Sequence, residues 1–168
     1  LTGTVAGLTN TQGYAVTFTV GAGKVEATFA AAPSQPLVWQ GDGVNGWDLN
    51  TASVVWSNTA VNVLTNFYQL DNVVFGNDTV NTNVDVSASV NPASITFDST
   101  NEYTLQGAGK ITGKTTITKN NTNTVTLALL NDAVGPVTIN GGILQGSGDV
   151  DDSYDGMTTI TVANGGAF

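Results

Sequence analysis

The densest group of chemically capable side chains in this sequence is the acidic run Gly148-Asp149-Val150-Asp151-Asp152-Ser153-Tyr154-Asp155-Gly156. Its carboxylates, Asp149, Asp151, Asp152 and Asp155, fall close enough together to chelate Ca2+, a hard cation that takes roughly six to eight oxygens. The run is not an EF-hand, because Tyr154 stands where the loop glycine belongs and Ile160 where the closing Glu belongs. A solvated acidic loop is the plainer reading. Weak Ca2+ binding is the only cofactor expectation set beside it.

Three further groups invite chemistry. Trp39, Trp47 and Trp56 recur at spacings that suit one indole per strand. Flanked by Asp and Asn, they would serve as a platform for stacking sugar rings, or else pack together over one end of a core. Lys110, Lys114 and Lys119 are three of only four cations. Stacked on adjacent coils they would form a stripe that docks on an acidic face; scattered, they are ordinary solvated lysines. Asp42 and Asp48 would pair as a glycosidase dyad, but they sit among turn residues where Asp is expected anyway.

Catalysis is otherwise poorly supplied. The sequence holds no His, no Arg and no Cys. Only paired carboxylates or a Lys-activated hydroxyl are left as catalytic groups. The expectation is a protein that is not an enzyme.

These side chains must be positioned by an unusual chain. Of its 168 residues only 10% are charged, with a net charge of −9, against a usual charged fraction of about a quarter. A hydrophobic content of 40% is too high for a disordered chain. The surface must therefore be covered by neutral hydroxyls and amides. An acidic, Arg-free chain argues against nucleic acid and anionic membrane surfaces. No run approaches the roughly 20 apolar residues of a membrane helix, so membrane insertion is not expected. Absence of Cys excludes disulfides. The chain begins at Leu1 without a signal peptide and ends in mid-pattern at Phe168, which reads as a processed product or a piece of something longer.

The elements are short. Apolar β-branched runs are closed repeatedly by Gly, Asn or Asp, residues that tolerate sharp corners. Tyr14–Val20 and Lys24–Phe29 alternate around Gly21-Ala22-Gly23, which signals a β-hairpin with Val16, Phe18 and Val20 on one face and Val25, Ala27 and Phe29 on its continuation. Residues 1–32 form this first segment, 33–36 a Pro-containing linker, and 37–168 an aromatic block followed by strand after strand. Strands are expected near 73–75, 84–86, 94–97, 103–106, 110–112, 115–118, 124–130, 137–140, 143–145 and 158–162. One helical turn capped by Asp48 is the longest helix the pattern allows. The inward candidates are Val73, Phe75, Val84, Val86, Ile95, Phe97, Leu105, Ile111, Ile117, Val125, Leu127, Val137, Ile139, Ile143 and Leu144. Thr and Asn are expected outside, in ladders.

Certain stretches resemble a known family. Trp39-Gln40-Gly41-Asp42-Gly43, Trp47-Asp48 and Trp56 are similar to a W-x-G-D-G … W-D … W opening, and Asp71-Asn72-Val73-Val74-Phe75 to the D-x-V-x-F strand that follows. Val90-Asn91-Pro92-Ala93-Ser94-Ile95-Thr96, Tyr103 to Gly113, and Ile117-Thr118-Lys119 through Gln145 continue the series in order. Over about residues 37–146 the chain resembles the autotransporter-associated β-strand repeat of large secreted bacterial proteins. Asn120, Asn121 and Asn123 replace the family's glycines, and Asn tolerates the left-handed corner.

The resemblance implies an all-β, right-handed parallel β-helix, displayed on the bacterial exterior in a structural or adhesive role. An antiparallel β-sandwich is the architectural alternative, and a carbohydrate-binding module using exposed tryptophans the functional one. Self-association into a homopolymer or tandem repeats is expected, through open ends that carry no evident cap. Tyr14, Val16, Phe18, Val20, Val25, Phe29 and Phe168 are the candidate contacts.

Overall fold

A computed structural model of the chain describes residues 14–31, 33–41, 46–79, 81–146 and 159–167. Strands β1 (Tyr14–Gly21) and β2 (Lys24–Ala31) form the expected hairpin as a separate two-stranded antiparallel sheet. Ala22 and Gly23 both have positive φ. That makes the tight two-residue turn whose twist suits a hairpin.

The remaining strands are β3 (Pro36–Trp39), β4 (Gly46–Trp47), β5 (Trp56–Asn58), β6 (Val63–Thr65), β7 (Asn72–Phe75), β8 (Asn83–Val86), β9 (Ser89–Val90), β10 (Ser94–Phe97) and β11 (Tyr103–Gly113). They continue as β12 (Thr116–Lys119), β13 (Thr124–Ala133), β14 (Val137–Ile139), β15 (Gly142–Gly146), β16 (Ile160–Val162) and β17 (Gly166–Ala167). An eight-stranded sheet runs β16-β14-β12-β10-β7-β3-β5-β6 and a seven-stranded sheet runs β17-β15-β13-β11-β8-β4, with β9 beside β11. From β7 onward the chain passes back and forth between the two sheets, coil after coil. The result is a β-solenoid of about four turns.

Pairing from β7 to β17 is parallel throughout. This excludes the antiparallel sandwich. Successive coils repeat at about 22 residues, the separation between Ser94 and Asn72 whose side chains bond across the coil boundary. Leu37, Val73, Ile95, Ile117, Val137 and Ile160 form one inward column, and Phe75, Phe97, Lys119, Ile139 and Val162 another. Every apolar member of these columns before the last coil is buried. Each such burial contributes roughly 1.5–3 kcal/mol before entropy.

Three details depart from the sequence reading. Ile143 is 40% exposed while Leu144 is buried, because adjacent strand residues point to opposite faces and only one enters the core. Residues 48–52 form no helical turn; the Asp48 carboxylate instead accepts from the Asn50 N–H and the Ser53 hydroxyl. The linker 33–36 ends inside a sheet, since Pro36 opens β3 and pairs with Asn72. Proline is tolerated as the first residue of a strand. Outward side chains do form cross-coil bonds, among them Asn140 Nδ2 to Asn120 Oδ1 and Gln145 Nε2 to Thr126 Oγ1.

Candidate functional site

Three places in the solenoid combine unusual residues with defined geometry: an aromatic cap, a caged lysine and the final coil.

The cap closes the end where the solenoid begins. β5 pairs antiparallel with β3, and β6 with β5. This flap extends the eight-stranded sheet two strands beyond β3, whereas the other sheet stops at β4. Beneath it Trp56 packs edge-on against Trp39 and Trp47 at centroid distances of 5.0 and 5.2 Å, and Trp47 meets Phe67 at 5.3 Å. Phe75 then stacks on Phe97 at 5.1 Å. Trp39 Nε1 donates to the Asn81 carbonyl at 2.8 Å. The buried Tyr103 hydroxyl donates to the Gly76 carbonyl at 2.8 Å, and burial, helped by Asp78, pushes its pKa up to about 12.

Asp71 ties the incoming chain to this end. Its carboxylate accepts from the Gln35 N–H at 2.8 Å and the Tyr68 N–H at 3.0 Å. Burial holds its pKa above the ordinary carboxylate value, and these two bonds oppose that rise.

Lys119 lies inward on β12, fully buried. Its ammonium donates to the carbonyls of Asn120, Asn121 and Gly141 and to Asn123 Oδ1, the last at 2.6 Å. Burial lowers its pKa. The cage exists because the corner turns sharply: Asn121 adopts φ 59°, as an Asn in a glycine's place is able to. Gly142 follows at φ 67°, where a Cβ would stand 2.2 Å from the Asn123 carbonyl oxygen.

The final coil differs from all others. Ile160 and Val162 continue the two inward columns, yet they are 38% and 46% exposed while their neighbours Val137 and Ile139 are fully buried. Among the described residues β16 and β17 are the last strands of their sheets and lie on the same coil. Backbone bonds join Thr159 O and Ala163 N to β14. The alternation of a parallel ladder then points the N–H and C=O of Ile160 and Val162 away from the solenoid.

Set against these places, the candidates from the sequence separate cleanly. The indoles of Trp39, Trp47 and Trp56 come together, but all three are buried. In the cap they present no exposed ring face on which a sugar would stack. The lysine stripe is also corrected. Lys119 is inside, Lys110 pairs with Asp132 on the other sheet, and Lys114 is an exposed turn residue. Phe18, Val20, Val25 and Phe29 are exposed on the hairpin, and Val16 is half-buried.

Asp149, Asp151, Asp152, Asp155, Asp42 and Phe168 lie outside the described residues, as does the side chain of Tyr14. Among the described residues no group of three His, Cys, Asp or Glu is placed to hold a metal ion. The expectation of an uncapped first end is corrected, since the aromatic flap covers it; at the other end β16 and β17 are the last strands among the described residues. Neither the cage nor the Asp71 clamp was among the sequence candidates. Their signal was a lone Lys at an inward strand position, and an Asp directly before an apolar strand.

No family model matches this chain, and neither does any curated protein or solved structure.

Proposed function

We propose that this chain is a non-enzymatic structural unit of the bacterial exterior, part of a surface fibre or adhesin in which such units join end to end. The observation that carries the reading is the coil-on-coil stacking itself, in which successive coils from β7 to β17 pair in parallel around one continuous apolar interior. A stack in which each coil repeats the one before it is suited to continuation by further units of the same kind. The resemblance of the motif series to secreted bacterial repeats and the neutral hydroxyl and amide exterior support the same reading.

The test is localisation together with shape. Antibodies to the folded chain should label intact producing cells without permeabilisation, and negative-stain electron microscopy of the purified chain should show rods in multiples of one subunit length. Labelling only after lysis, or turnover of neutral or acidic polysaccharides by the pure protein, overturns it.

A further inference from the structure

We infer that the outer face of the eight-stranded sheet, along β10, β12, β14 and β16, binds ice. The inference goes beyond the end-to-end reading and does not depend on it.

This face carries a two-dimensional array of hydroxyls. Thr96 lies beside Thr118, Thr118 beside Thr138 and Thr138 beside Thr161, an unbroken column of one residue type. Two residues earlier on the first two strands, Ser94 lies beside Thr116. Pro136 interrupts this second column, and Thr159 resumes it on the following coil. Ile95, Ile117 and Val137 lie between the two columns and are buried, so the hydroxyl-bearing side chains point outward. Ser94, Thr96, Thr116, Thr118 and Thr138 are partly exposed, and Thr159 and Thr161 are exposed.

Two features set this face apart from the other sheet. From β7 to β16 no charged residue points outward within its strands, in a chain of net charge −9; Asp98 follows only at the corner beyond β10. The other sheet bears Asp85, Lys110 and Asp132 on its strands. Its register also shifts between Gln106 and Lys110, whereas β7, β10, β12, β14 and β16 pair without a shift. The uncharged face is therefore also the regular one.

A regular face sets its hydroxyls on a grid. Neighbouring strands stand about 4.8 Å apart, and alternate residues of one strand about 6.6 Å apart. Both distances lie near the oxygen repeats on the prism face of hexagonal ice. A crystal surface is recognised by repetition, because each rung makes the same weak contact as the last. Threonine suits this task. Its χ1 is restricted, so hydroxyl and methyl are held in place at small entropic cost. The hydroxyl bonds a lattice water while the methyl fills a hollow between lattice waters. A charged side chain would keep a hydration shell of its own that does not fit the lattice. A sugar chain is the weaker fit, because none of these outward residues is an aromatic on which a ring would stack.

The experiment measures ice affinity of the purified full chain in two ways, as thermal hysteresis and as partition into slowly grown ice. Wild type should open a gap between melting and freezing temperatures and should be enriched in the ice over the remaining liquid. Thr118→Tyr/Thr138→Tyr should lose both and keep the wild-type denaturation midpoint, since tyrosine suits a strand but breaks the grid. Thr104→Tyr makes the same change on the other sheet and should keep both. If the double variant fails to fold, Thr118→Lys places one charge within the array and is read in the same way.

A wild type with neither hysteresis nor enrichment overturns the inference. So does a folded Thr118→Tyr/Thr138→Tyr variant that retains both, or a folded Thr104→Tyr variant that loses them. None of these results bears on cell-surface labelling or rod formation, which test the end-to-end reading separately.

Discussion

Lys119 pairs in register with Phe97, so an ammonium-bearing side chain continues a column that contains two stacked phenyl rings. The substitution of charge for ring is possible because the corner folds three carbonyls and the Asn123 amide oxygen around the ammonium. A buried charge is tolerated only when its hydrogen-bonding capacity is met.

Replacement of Lys119 by Met keeps the apolar stem and strands the four acceptors. A loss on the order of 3 kcal/mol is expected, since bonds to a charged group vanish and buried carbonyls are left unpaired. Urea denaturation at neutral pH measures it; an unchanged midpoint would show that the cage does not stabilise the fold. The pH dependence is distinctive. Burial lowers the folded pKa below the ordinary value of 10.5. Between the two values the unfolded chain binds more protons, so this group makes stability rise with pH. Wild type should gain on Lys119→Met as the pH climbs toward 10.5.

Tyr103 acts in the opposite sense. Its pKa is raised from 10.0 to about 12, so the folded chain holds the phenolic proton more tightly than the unfolded one. The contribution is fully present below pH 10 and is lost as the pH rises to about 12. Tyr103→Phe should cost about 1 kcal/mol at neutral pH through the lost bond to Gly76. It should also flatten the alkaline decline, as read from denaturation midpoints between pH 9 and 12. Parallel declines in the two proteins would contradict this.

Trp56 stands at the centre of the cap, in contact with Trp39, Trp47, Phe67 and Phe75. Trp56→Ala should destabilise the protein by roughly 3–5 kcal/mol. Circular dichroism during thermal unfolding would record the change. A variant that stayed as stable as wild type but lost binding to specific sugars on a glycan array would return the tryptophans to a ligand-binding role.

Gly142 and Gly21 separate corner geometry from mere composition. At Gly142 the positive φ alone costs an L-residue about 1–2 kcal/mol, and the approach of the Asn123 carbonyl adds to it. Gly142→Ala should therefore lose more than about 2 kcal/mol, while Gly21→Ala, with nothing within 4 Å of the added carbon, should stay within about 0.5 kcal/mol. Equal effects at the two positions would mean that the corner relaxes.

Much of the architecture was legible before the structure. Period-two alternation closed by Gly and Asn marks a strand and a corner locally, which is why the hairpin and most coil strands lie within a residue or two of the positions that pattern predicts. Of the named inward residues only Ile143 faces solvent; Ile143 and Leu144 are equally apolar, and the choice between them is made by β15's register with β13.

What the sequence by itself determined is therefore local: strand, corner, the side of each strand that is apolar, and a surface of hydroxyls and amides. Tertiary structure alone decided the rest. Trp39, Trp47 and Trp56 read equally as a binding platform or a buried cluster, because exposure depends on whether β5 and β6 fold over them. Lys119 read as a surface charge, because its cage includes the Gly141 carbonyl from the next coil. The capping of the first end arises from which strand lies beside which, and the coil stacking from a relation between residues some 20 or more positions apart that no local pattern records.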